Sequence, residues 1–186
     1  MYLDPKYLLD SDFQFTKGET QIAQATRAEE AESRFVNWSR RAGYATTLAD
    51  KIHQKGYDAL VEDILREQVK QRTRRPGKNG KLNSWCISNL RHENWVSGLV
   101  DQFTIFETDS DQCLQYIYRI TADRVFNAKT YYSAYNKCSQ LGIAQCKKLA
   151  HFVYDAKSRK TIVNVDVTDQ LAKRIESRID KSLLGF

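Results

Sequence analysis

The sequence has no run of apolar residues approaching the ~18 that a membrane-spanning helix needs, so no membrane role is read from it. It starts on polar and acidic residues, Met1-Tyr-Leu-Asp-Pro-Lys6, without the basic start and apolar middle of an export signal. Its four cysteines, Cys86, Cys113, Cys138 and Cys146, are nowhere closer than eight residues. Zinc sites usually pair cysteines about two to four residues apart. They are therefore read as reduced thiols in a cytoplasmic protein. The three histidines, His53, His92 and His151, stand alone. No Gly-rich phosphate loop, serine nucleophile motif or Cys–His pairing occurs. These absences leave no assigned catalytic residue, metal or cofactor.

What is present is a chain able to build a core. It has 186 residues, of which 41% are hydrophobic and 28% charged, too apolar for a disordered tail. The net charge of +6 is unevenly spread. Residues 1–69 carry 9 basic against 12 acidic side chains, and 101–128 carry 2 against 5. Residues 70–100 carry 7 basic side chains and only Glu93, and 129–160 carry 7 and only Asp155. Two basic blocks in an otherwise balanced chain are what a surface for a polyanion requires.

Periodicity predicts a mainly helical α+β fold. Ala28, Ala31, Phe35, Trp38 and Ala42 share a helical face, with Gly43 as its stop. Leu48, Ala49 and Ile52 predict a second helix, and Tyr57, Leu60, Val61, Ile64, Leu65 and Val69 a third. These form an N-terminal helical bundle, a module spanning 1–70. Residues 71–81, with Pro76-Gly77 and Asn79-Gly80, read as a basic loop or linker. An α+β module follows over 82–186, unless all of it is one compact domain. Its expected parts are two short helices within 85–100, a hairpin pairing 103–106 with 113–118, a helix from Thr121 to about Gln140, and a short helix over 143–150. A second hairpin, 152–154 with 161–167, and a C-terminal helix after Thr168 complete it. The expected core includes Phe35, Trp38, Leu60, Ile64, Leu99, Val163, Val165, Leu171 and Ile175.

The basic blocks supply the candidate site. In the first, Lys70, Arg72, Arg74, Arg75, Lys78 and Lys81 offer guanidinium forks and point charges to phosphates. In the second, Lys129, Lys137, Lys147 and Lys148 surround Tyr132, which is free to stack on a base, and Lys157, Arg159 and Lys160 form a hairpin tip. Residues 134–152 can be drawn as a helix-turn-helix with Gly142 in the turn. Tyr131-Tyr-Ser-Ala-Tyr135 resembles the paired tyrosines of rolling-circle replication initiators, but the histidine pair that family also needs is missing. Asp155-Ala-Lys157 matches half of a restriction-endonuclease-type metal site, with Glu107, Asp109 or Asp111 as partner acid.

The sequence thus favours a non-catalytic nucleic-acid-binding protein, DNA before RNA, acting as a regulatory or accessory factor. A metal-dependent nuclease is the first alternative, and an adaptor for an acidic protein partner the second. The N-terminal helices are the expected surface for self-association or a protein partner.

Overall fold

A computed structural model describes residues 1–50, 56–74, 86–128, 131–133 and 138–164. Two 3-10 turns at 5–7 and 10–13 lead into helix α1, Gln21–Arg41. The Thr20 hydroxyl caps α1 by accepting from Ala23 N at 3.2 Å. At its other end Gly43 takes φ 93°. Gly43 N donates to Arg40 O and Tyr44 N to Ser39 O, closing the last turn.

Strands β1 (Thr46–Leu48), β2 (Ala59–Val61) and β3 (Leu65–Thr73) follow. After β4 (Cys86–Leu90) and helix α2 (His92–Val96) come β5 (Gln102–Thr108) and β6 (Leu114–Thr121). Helix α3 (Ala122–Phe126), β7 (Tyr131–Ser133), β8 (Cys138–Gly142) and helix α4 (Ile143–Leu149) lead to β9 (Phe152–Asp155) and β10 (Lys160–Asn164). One sheet has the order β1-β2-β3-β5-β6-β9-β10, and a smaller one has the order β4-β8-β7. In the large sheet only the β3–β5 pairing is parallel.

Helix α1 covers one face of the large sheet. Phe35, Val36 and Trp38 pack there against Val61, Leu65, Val69, Phe106, Ile117 and Phe152. The Trp38 ring is fully buried and its Nε1 donates to Asp4 O at 2.9 Å. On the other face Phe103, Ile105, Tyr118, Ile120 and Val153 meet Val125 of α3, Ile143 and Cys146 of α4, and Leu90 and Leu141 of the small sheet. Among the described residues no helix is long and apolar enough to cross a membrane.

The mainly helical reading is wrong. Helix and strand shares are nearly equal and a seven-stranded sheet is the organising element. No N-terminal bundle forms in the described residues: α1 packs on the sheet, and Tyr57–Val69 is a hairpin. Its turn places Glu62 at φ 52° and Asp63 at φ 56°, with Ile64 N donating to Val61 O, the left-handed pair that a tight hairpin needs. Residues 70–73, expected in an exposed loop, are the half-buried end of β3. Within 85–100 the first expected helix is β4, while α2 supplies the second. The helix from Thr121 stops after one turn, capped as expected by the Thr121 hydroxyl. Strands β7 and β8 take its place, which removes the first helix of the helix-turn-helix. The hairpins β5–β6 and, as far as residue 164, β9–β10 pair where the alternation put them. Phe35 and Trp38 are buried, but Leu60, Ile64, Leu99 and Val163 only partly so. Val165, Leu171, Ile175 and the expected C-terminal helix lie outside the described residues.

Candidate functional site beside strand β3

Strand β2 pairs with β3 only as far as Ala59 opposite Glu67. Beyond that point β3 runs on to Thr73 with β5 on one side. On its other side lies a groove of about 400 Å³. Gln24, Arg27, Ala28 and Glu32 of α1 form one wall, and Val69 to Thr73 form the other.

Asp58 stands at the head of the groove, where β2 begins. Three bonds fix it: Asp58 N donates to Glu67 O at 2.8 Å, Ala49 N donates to Asp58 O at 2.9 Å, and Val69 N donates to Asp58 Oδ2 at 2.8 Å. The carboxylate thereby continues the ladder that β2 abandons. Gly56 fixes the approach, since it takes φ 102° and a Cβ there would sit 2.9 Å from Leu99 Cβ.

Lys70 follows Val69 along the groove. Burial pushes its ammonium below the ordinary lysine value; Asp58 and Glu32 act in the opposite sense, and neighbouring Arg72 adds to the depression. The charges that act on this lysine thus come from separate elements, Glu32 on α1, Asp58 before β2 and Arg72 on β3. Perturbed groups of this kind collect at functional clefts. The far end of the groove is polar. Gln71 Nε2 donates to Thr108 Oγ1 at 2.7 Å and to Thr73 Oγ1 at 3.1 Å, and Thr73 Oγ1 donates to Gln112 Oε1 at 3.1 Å.

Two buried networks brace β3. Arg119 Nη2 donates to Glu67 Oε2 at 2.9 Å, with the two residues 1% and 0% exposed, and Thr104 Oγ1 also donates to Glu67. Farther along, the Tyr118 hydroxyl donates to Glu107 Oε2 at 2.9 Å and Arg74 Nη1 lies 3.5 Å from Glu107 Oε1. Burial and the Glu107 charge hold the Tyr118 hydroxyl firmly protonated.

Of the sequence-predicted site residues, Lys70 and Arg72 line the groove and Arg74 is tied to Glu107 at the end of β3. Lys157, Arg159 and Lys160 are exposed around the β9–β10 turn, and Arg159 pairs with Asp10 at 2.8 Å. Strands β3, β5 and β9 run in one direction, so that turn and the end of β3 share one end of the sheet. Three strand spacings of ~4.8 Å separate them by about 14 Å. Lys147 and Lys148 are exposed on α4, with Lys147 Nζ 4.5 Å above the Tyr116 ring. Tyr132 is on β7. Arg75, Lys78, Lys81, Lys129 and Lys137 lie outside the described residues.

Three of the acids considered for a metal site, Asp155, Asp109 and Glu107, accept hydrogen bonds within the fold. Asp155 Oδ1 accepts from Lys157 N and Ser158 N within its turn. Asp109 Oδ1 accepts from Asp111 N and Cys113 N. Glu107 is engaged by Tyr118 and Arg74. Glu32 and Arg27, which line the groove, and Asp58 at its head were not singled out by the sequence. One signal was there: an aspartate opening a short strand, with Lys70 twelve residues later on the next strand. No protein-family model matches the chain, and no curated protein matches it in sequence.

Proposed function

We propose that the protein is a metal-dependent nuclease whose centre is Lys70 with Asp58 and Glu32, and that DNA is its substrate. The observation that carries this reading is one lysine lining a polar groove with Arg27, Arg72 and Glu32, with the Asp58 carboxylate just before β2 acting on its charge. It is the carboxylate-and-lysine combination sought in the sequence at Asp155 and Lys157, drawn here from Glu32 on α1, Asp58 before β2 and Lys70 on β3.

Polyanion binding alone does not call for this arrangement. Exposed cations neutralise phosphates without losing hydration, whereas drawing Lys70 into the groove costs desolvation. That cost is useful when a charge must meet the extra negative charge that develops on a phosphate during attack. Asp58 and Glu32 would supply the hard oxygen donors. Magnesium is commonly held by one or two carboxylates together with substrate phosphates. Such a site needs no cluster of three or more protein ligands, and none is present among the described residues. A divalent ion held there would activate the attacking water and neutralise the scissile phosphate. Lys70 would steady the non-bridging oxygens, while Asp58, locked by Val69 N, would keep its carboxylate in one orientation. Arg72, and the cations at the shared end of the sheet, would hold the strand.

The test incubates purified protein with supercoiled plasmid, single-stranded DNA and RNA, in Mg²⁺ or Mn²⁺ and in EDTA. Metal-dependent cleavage is expected, falling by about 100-fold or more in Lys70→Met and in Asp58→Asn. Clean protein that shifts DNA but cuts none of the three substrates would return the reading to a non-catalytic binder.

A further inference from the structure

Lys70 differs from the other cations of its strand in having no partner. Arg74 is tied to Glu107, and Arg72 has a further partner of its own. Lys70 makes no hydrogen bond and no ion pair with any described residue. It is half-buried and lines the groove, and its Nζ nevertheless retains surface that solvent reaches. Asp58 at the head of the groove and Glu32 on the α1 wall act on its charge from beyond ion-pair distance.

An unpaired, half-buried ammonium is held at a cost, and burial moves the balance toward the uncharged amine. A neutral amine has a free lone pair, and its characteristic electrophile is a carbonyl carbon. The groove, at about 400 Å³, has room for a small carbonyl compound beside it. An aldehyde suits the place for a second reason. The protonated imine that forms carries one positive charge, which the Asp58 and Glu32 carboxylates favour as they favour the ammonium.

We propose that Lys70, the unpartnered amine of the groove, is a nucleophile that forms an imine with the aldehyde of an abasic site in a DNA strand and so cuts that strand without metal. That the aldehyde belongs to DNA rests on the substrate of the nuclease reading; the reactivity of the amine does not. The Nζ lone pair adds to the aldehyde carbon of the ring-opened sugar. With one proton taken from solvent, water leaves and a cationic imine remains. Glu32, the one carboxylate among the lining residues, removes a proton from the adjacent carbon. The electron pair left behind forms a carbon–carbon double bond as the next C–O bond breaks, and the departing phosphate ester carries the bonding electrons away. Water then adds to the imine and returns the amine. No oxidant or reductant is consumed.

The experiment incubates the full chain in EDTA with an oligonucleotide carrying one abasic site, and separately with free deoxyribose phosphate. Borohydride is then added, which reduces an imine to a stable amine. The cross-link is quantified on a gel and placed by peptide mass spectrometry. The variants are Lys70→Arg, which keeps a cation but has no amine, Lys70→Met and Glu32→Gln. An adduct with the abasic strand on Lys70 is expected, falling about tenfold or more in both Lys70 variants. Glu32→Gln should still be trapped but cut the abasic strand about 100-fold more slowly. Thermal melts report folding, and if both Lys70 variants are unfolded then the position of the adduct in the parent decides alone. No adduct, an adduct on other lysines, or undiminished trapping in folded Lys70→Arg would overturn the proposal. Trapping of the free sugar alone would overturn the strand as substrate. Because these measurements contain no metal, the two readings fail separately. Intact DNA left uncut in Mg²⁺ or Mn²⁺ would remove the nuclease and leave a Lys70 adduct standing, whereas metal-dependent cleavage without an adduct would do the reverse.

Discussion

Acidification from pH 7 to pH 5 should destabilise this protein through one histidine. His151 immediately precedes β9 at 4% exposure, and its Nε2 lies 3.1 Å from the side chain of Gln102. Gln102 turns its amide oxygen toward both Arg119 and His151, so the imidazole donates from Nε2. Nδ1 is then the bare nitrogen, and it is buried without a partner. Protonation there would create an unsatisfied N–H and set an imidazolium near the Arg119 guanidinium. Burial, followed by the charges of Arg119 and Arg124, lowers the His151 pKa from 6.5 to about 3. Between those values the unfolded chain binds a proton that the folded chain refuses, so stability is intact above 6.5 and drains away as pH falls. The slope is about 1.4 kcal/mol per pH unit, which makes the loss from pH 7 to pH 5 about 2 kcal/mol. Urea unfolding at pH 7, 6 and 5 of the parent and of His151→Gln checks this, since other titrating groups cancel in the difference. The parent should lose about 2 kcal/mol more than the variant over that range. Parallel pH profiles would refute the claim that His151 is held neutral by its surroundings.

Two other substitutions probe the frame that carries the groove. Arg119→Met strands Glu67, whose carboxyl burial already pushes up. It should cost about 3–5 kcal/mol, most of it recovered in the Glu67→Met, Arg119→Met double variant; a single variant as stable as the parent in urea would show that the pair is not coupled. Asp63→Gly relieves a left-handed residue at φ 56° on an exposed turn. It should stabilise by about 0.5–1 kcal/mol and raise Tm by roughly 1–4 °C, and a lower Tm would mean that the Asp63 side chain supports the turn.

The parts of the fold that were legible in the sequence are those whose pattern is local. Helix α1 shows a 3.6-residue stripe ending at a glycine, and β5–β6 shows two apolar runs around a polar turn. The β2–β3 hairpin was hidden for two physical reasons. Leu60, Val61, Ile64 and Leu65 fall by chance at helical spacings, and the buried inner face of β3 reads Leu65, Glu67, Val69. A glutamate in the middle conceals a period of two, and it is tolerable only because Arg119, fifty-two residues away in sequence, neutralises it. The turn gave no warning either, because Glu62 and Asp63 adopt the left-handed conformation that glycine or asparagine usually advertises.

The groove is harder to read still, because it is made by a strand ending early. Had β2 continued alongside β3, Val69 N would have bonded to a carbonyl and Lys70 would be an ordinary strand residue. Since β2 starts at Ala59, the Asp58 carboxylate takes that bond, and the space beyond is left for side chains from α1. Composition flagged the basic end of β3 as unusual, yet assigned it to a loop, where Lys70 and Arg72 would have been interchangeable. In the strand they are not. Lys70 and Arg72 line the groove, and Arg74 is spent on Glu107. Arg27 carries the same lesson from the opposite wall. In sequence it is one charge in a helix that also carries Glu29, Glu30 and Glu32, and the natural expectation is an ion pair with one of them. The helix turns it inward instead, where its Nη1 donates to two loop carbonyls, Thr16 O and Gly18 O.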